Sequence, residues 1–168
     1  MSTSEITFQG VRARYGSAKT YDELVASLLA DIGEKPVPIN DFATAAGDWP
    51  SYQRLVEPHV GPSGFMLFGL LDHGTWIEKA GIKRKVLRVI LGNPLIAITM
   101  LRHDVTAGLF APVEVLLVDE GDGHSSLTYV KPSSLMVLDT GAGPNPELLG
   151  AARQLDDKLA ALAEKVAA

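Results

Sequence analysis

A chain of 168 residues has the length of one ordinary domain, and 46% hydrophobic with 21% charged residues is a globular composition that excludes disordered, collagen-like and coiled-coil classes. Fifteen Lys and Arg against twenty Asp and Glu give a net charge of −5; residues 1–110 carry eleven of each sign, so the deficit lies wholly in 111–168, with four against nine. That balance argues against non-specific binding to nucleic acid or to an anionic membrane, both of which need a basic surface.

With no cysteine, disulfide scaffolds, thiolate metal sites and thiol nucleophiles are removed together. The start MSTSEITFQG lacks a basic segment followed by an apolar run, and the longest apolar stretch, Phe65–Leu71, is far short of the ~20 residues that span a bilayer. A cytoplasmic protein with no membrane contact is expected.

Ile6 and Phe8 alternate with polar residues, then Val11, Ala13 and Tyr15 alternate in the opposite phase, which predicts a strand with a bulge at Gly10. Leu24, Val25, Leu28 and Leu29 recur at helical spacing and predict a helix over 20–32, with Gly33 as a left-handed C-terminal residue. Five of the ten prolines fall within residues 36–62, which reads as an inserted loop. Asp48, Trp49 and Pro50 could start a short helix through Val56 with Asp48 as its cap.

Phe65–His73 predicts a buried strand whose alternation places His73 on the face of Phe65, Leu67 and Leu71. Residues 75–80 predict a helical turn closed by Gly81. A further strand puts Lys85, Leu87, Val89 and Leu91 on one face and Arg84 and Arg88 on the other, which is then solvated or charge-paired. After Pro94, Leu95, Ile98, Leu101 and Val105 share a helical spacing. Residues 112–118 and 126–130 flank Glu120-Gly121-Asp122-Gly123 and predict a hairpin. Leu148, Ala152, Leu155, Leu159, Leu162 and Val166 predict an amphipathic helix over 145–167, capped by Asn145, whose seam packs on the sheet or, alternatively, on a second copy. The whole reads as a single domain, 1–168.

Strand, helix, an apolar strand ending Asp72-His73, a Glu78-Lys79-Ala80-Gly81 turn, a strand ending Gly92-Asn93-Pro94, and a Pro112-led hairpin closing at Tyr129-Val130-Lys131-Pro132 follow in this order. The arrangement resembles the bacterial and archaeal "domain of unknown function 302" family over roughly residues 18–138. The resemblance implies an α+β fold: a curved, mainly antiparallel sheet of about five strands with two or three packed helices, the long C-terminal one among them. The fold class is similar to that of TATA-binding proteins, whose relatives include DNA binders and ligand-cavity proteins, so it does not choose a function. The family itself has no assigned activity. This chain departs from the pattern in its 36–62 segment, and in having Glu114 two residues after Pro112 where the family tends to a basic residue. An anion site built on that residue is therefore not expected.

Three functions follow as expectations. The first is binding of a small apolar or weakly acidic molecule between sheet and helices, near His73, Asn93 and Tyr129 and under a loop carrying Trp49 and Tyr52. The second is an enzyme in which His73 transfers protons with Glu78 or Tyr129, since imidazole exchanges protons near neutrality. The third is a homodimer through the hairpin edge or the terminal helix. Against each stands a structural role: His73 as a hydrogen-bonded strand-end residue, Asn93 as a helix cap, and Trp49 and Tyr52 packing on each other. The four histidines lack HExxH or HxH spacing, so no metal site is expected, and no cofactor motif occurs.

Overall fold

The computed structural model describes residues 2–168. Strand β1 (Arg12–Ser17) leads through Thr20 into α1 (Tyr21–Ile32). Thr20 and Glu23 form a reciprocal capping box, and the Gly33 N–H returns to the Leu29 carbonyl, so both ends of α1 are satisfied by local sequence. Gly33 has φ 99° with ψ 156°, a glycine-favoured conformation outside the left-handed helical region.

The 36–62 segment is mostly helical. It holds α2 (Ile39–Ala45), α3 (Trp49–Val56) and a 3-10 turn at Glu57–His59. Asp48 caps α3 by accepting from the Ser51 N–H, as the sequence predicts, whereas α2 starts on Pro38 with no side-chain cap and leaves no such signal.

Strands β2 (Met66–Asp72), β3 (Val86–Gly92), β4 (Val113–Gly121) and β5 (His124–Val130) complete the sheet. Its order is β1-β5-β4-β3-β2 and every pair is antiparallel, so β1 and β2 form opposite edges. Between β2 and β3 lies the single turn α4 (Gly74–Ile77), followed by a 3-10 turn ending at Gly81 with φ 86°. Between β3 and β4 lie α5 (Pro94–Leu101) and a 3-10 segment, Val105–Phe110. Asp122 and Gly123 turn the β4–β5 hairpin, both at positive φ. After β5 come α6 (Pro132–Met136) and α7 (Pro146–Ala167).

One face of the sheet carries the core. Leu87, Val89, Leu91, Val113, Val115, Leu117, Leu127 and Tyr129 are buried there against Leu24 and Leu28 of α1. From α7, Leu148, Ala152, Leu155, Leu159, Leu162 and Val166 join the same cluster. The seam of α7 is thus consumed within the chain, so it is not a free surface for a second copy. The hairpin offers no edge either, because β4 and β5 are interior strands.

Beside Gly33 and the 36–62 segment, which is helical where the sequence reads as a loop, three further expectations change. Residues 6–11 are not strand: Ile6, Phe8 and Val11 are exposed, and the β1–β5 pairing begins only at Arg12. α5 ends at Leu101, leaving Val105 78% exposed in the 3-10 segment. In β2 the register slips between Leu67 and Gly69, so Phe68 is an extra residue and the side-chain phase reverses. Asp72, opposite the core residue Leu87, then takes the inner face, while Leu71 joins Arg88 on the outer one. His73 lies beyond the strand with helical backbone angles.

Candidate ligand-binding site

The five residues expected to bind a ligand do not share a cavity. The Oδ1 of Asn93 accepts the Leu95 N–H at 2.8 Å and its Nδ2 donates to the Gly64 carbonyl at 2.9 Å, so the side chain is spent capping α5 and pinning the 61–64 turn. The void beside it, between the sheet, α5 and α7, is about 20 Å³ and lined by core residues such as Phe65, Met100 and Leu155. A ligand there would have to displace the core. Trp49 and Tyr52 pack on each other with centroids 5.7 Å apart and, with Ala43 and Ala46, border a shallow depression away from Asn93.

Tyr129 is buried and stacks on Tyr15 at 6.0 Å and 11°, the two hydroxyls sharing a hydrogen bond of 3.4 Å. Burial first, then the Tyr15 hydroxyl, hold the Tyr129 phenol well above its ordinary value, so it stays protonated. His73 Nδ1 accepts the Trp76 indole N–H at 3.2 Å. Three strand spacings, about 14 Å at ~4.8 Å each, separate the β2 edge beside His73 from β5, which carries Tyr129. These two cannot act on one substrate atom. Glu78 lies in an open polar cleft of about 500 Å³ with Tyr21, Asp22, Asp72, Lys83 and Lys85. One ion pair is made across that cleft: Lys85 Nζ sits 2.9 Å from both Asp22 oxygens and 5.4 Å from the Tyr21 ring centroid. Burial, then Asp72, Asp22 and Asp119, push the Tyr21 phenol up to about 12, so it too holds its proton.

A better-formed depression lies on the other side of the sheet. All cross-strand partners share a face, and the register aligns Arg12, Val130, Glu114 and Ile90 in one row and Arg14, Thr128, Leu116, Arg88 and Leu71 in the next. This open face is part apolar and part ion-paired. Arg88 Nε donates to Glu114 Oε2 at 2.9 Å, with Nη2 on the same oxygen. Glu120 accepts from Arg14 at 2.8 Å, Arg84 at 3.2 Å and the Ser126 hydroxyl, and the Ser126 and Arg14 hydrogen bonds hold its carboxyl below the usual range. At one end, Leu109, Phe110, Pro112, Val130, Pro132 and Leu135 wall a groove of about 370 Å³ that meets the Arg88–Glu114 pair. It is continuous through Arg88, Glu114 and Val130 with a depression of about 410 Å³ reaching Arg12 and Leu116.

The sequence flagged Arg88 as one side of a charge-paired face, but Arg12, Leu109, Phe110 and Leu135 escaped it. No sequence signal set them apart, because Val105 and Leu109 continue the spacing of Leu95, Ile98 and Leu101, and only the end of α5 at Leu101 turns them elsewhere. Among the described residues no three His, Cys, Asp or Glu side chains form a group able to hold a metal ion, and no helix is long and apolar enough to cross a membrane.

An open antiparallel sheet with helices on one face and a groove on the other defines the class, an α+β sheet domain. Residues 44–166 match the family described as "Domain of unknown function DUF302", and the chain belongs to that family. The match begins inside the 36–62 segment, so α3 falls within it, and it runs almost to the end of α7. The crystal structure of an uncharacterized conserved DUF302 protein from Bacillus stearothermophilus is similar, with a TM-score of 0.61 and 15% identity, covering 92% of this chain and 97% of that one. No curated protein matches the chain.

Proposed function

We propose that this DUF302 domain binds a small, largely apolar or weakly acidic molecule, and that the site is the groove on the open face of the sheet. The observation that carries this reading is the groove itself: about 370 Å³, walled by apolar side chains and meeting a single ion pair, Arg88–Glu114. Ligand sites have this form, with mostly apolar walls and a few placed polar groups in a volume of roughly 300–1,000 Å³. On the inner side the void beside Asn93 holds only about 20 Å³ and the larger cleft at Glu78 is open and lined mostly by charged side chains, while His73, Glu78 and Tyr129 lack the convergence that proton transfer requires. A cytoplasmic setting fits a chain with no cysteine to protect or pair.

Thermal-shift screening against metabolite mixtures, with native mass spectrometry of the freshly purified protein, tests the reading. Leu109 is 80% exposed at the groove wall, so Leu109→Asp should leave the ligand-free melting temperature unchanged and abolish the shift caused by any hit. A hit that stabilises this variant as well as the parent would place binding elsewhere. The second reading, a homodimer, is favoured by the same exposure of Leu109 at the groove wall, which a second copy on the open face would cover. Sedimentation velocity separates the two: a monomer at every concentration leaves the groove to a small ligand.

A further inference from the structure

The charges of the open face are matched except at one place. Three arginines stand on it in two rows: Arg14 is paired with Glu120 and Arg88 with Glu114, while Arg12 makes no ion pair and its side chain no hydrogen bond among the described residues. Arg12 lies opposite Val130 on β5, and Val130 is also a wall of the apolar groove. One residue therefore separates an unneutralised guanidinium from a largely apolar depression, in a protein whose net charge is −5. A lone cation beside an apolar groove selects against neutral and cationic ligands: it adds a charge-assisted hydrogen bond for an anion and repulsion for a cation.

We infer that the groove takes an amphipathic monocarboxylate, its apolar chain or ring against Leu109, Phe110 and Leu135 and its carboxylate carried past Val130 onto the Arg12 guanidinium at the β1 edge, away from Glu114. Glu114 makes the assignment narrower. Its carboxylate already occupies Arg88 and stands in the same row as Arg12, so a second negative charge on the ligand, placed along that row, would meet Glu114. One anionic end and an uncharged body is the pattern the face accepts. The guanidinium fork suits the planar carboxylate, which an ammonium would hold less specifically.

This inference rests on the groove being a ligand site, and the experiment keeps the two apart. Octanoate, octan-1-ol and octylammonium, each below its aggregation threshold, are titrated calorimetrically into the parent protein and into Arg12→Gln, Arg12→Lys and Leu109→Asp. Octanoate should bind most tightly, about tenfold better than octan-1-ol, as expected for one partly exposed charge-assisted hydrogen bond. Arg12→Gln should bring octanoate down to the level of the alcohol while leaving the alcohol unchanged, Arg12→Lys should restore part of the difference, and 0.5 M salt should shrink it. Equal binding of all three probes, or octanoate binding indifferent to Arg12→Gln, overturns the carboxylate assignment and leaves the groove standing. Failure of every probe to bind, or binding indifferent to Leu109→Asp, overturns the groove with it. Phosphatidylglycerol vesicles are titrated alongside, and binding seen only with them rejects a free monocarboxylate in favour of a lipid surface.

Discussion

Asp31 is the most deeply buried carboxylate with a defined set of partners, and it ties three parts of the chain together. Its side chain is 1% exposed, and it accepts from the Ser63 N–H at 3.2 Å, the Ser63 hydroxyl at 2.8 Å and Lys165 Nζ of α7 at 2.7 Å. Burial alone would raise its pKa, but the Lys165 and Ser63 hydrogen bonds outweigh that, and the carboxyl is held below its ordinary value. The unfolded chain therefore takes up this proton at a higher pH than the folded one. The stabilisation is complete above the ordinary carboxylate value of ~3.9 and is lost as pH falls through the lower folded value. Asp31→Asn should cost about 2 kcal/mol at pH 7 in urea unfolding, and the gap between the two proteins should narrow as pH falls below the ordinary carboxylate value of ~3.9. A constant gap between them would show that ionisation is irrelevant. The neighbouring glycine is fixed by space: a Cβ on Gly61 would stand 1.9 Å from the Asp31 carbonyl oxygen, while one on Gly47 meets nothing within 4 Å. Gly61→Ala should destabilise by about 1–3 kcal/mol and Gly47→Ala by less than ~0.5, measured side by side.

Among the elements, α7 contributes most to one continuous core, since six of its residues spaced four and three apart all end up buried. Leu159→Ala, at 1% exposure, should cost about 2–5 kcal/mol in denaturant unfolding, and Asn145→Ala, which removes the acceptor for the Leu148 N–H, about 1 kcal/mol. A Leu159→Ala cost below the cap's would mean that α7 docks loosely. This helix was legible in the sequence because its signal is periodic and its caps are local. The same holds for the apolar spacing of α1, for Asp48 at the start of α3, and for the Asp122-Gly123 turn. What stayed hidden depends on partners remote in sequence. The slip at Phe68 belongs to the pairing of β2 with β3, and it moved His73 off the face that simple alternation gave it. Ile6 and Phe8 carry a strand pattern but meet no strand; Phe8 instead packs edge-on against Phe110 at 6.2 Å. The groove was invisible for a related reason: Arg12, Arg88, Leu109 and Val130 come from four separate segments that only the order β1-β5-β4-β3 sets side by side.

The molecule as a whole is divided by its sheet. Every long helix and the buried Asp31 cluster lie with the inner face, whereas the groove and its arginines lie on the outer one. Residues without shared partners add their effects on stability independently. A ligand bound only by the folded state stabilises by RT ln(1 + [L]/Kd), about 2.7 kcal/mol at a hundredfold excess over Kd, which for a chain of this size raises the melting temperature by roughly 5–11 °C. The same octanoate concentration should raise the melting temperature of Asp31→Asn by as much as that of the parent, although the variant starts lower. Arg12→Gln should show the reverse pattern, with an unchanged starting temperature and a reduced shift. A ligand shift that shrinks in Asp31→Asn beyond the effect of its lower starting temperature would mean that the two faces are coupled through the sheet, and that the helical layer takes part in binding.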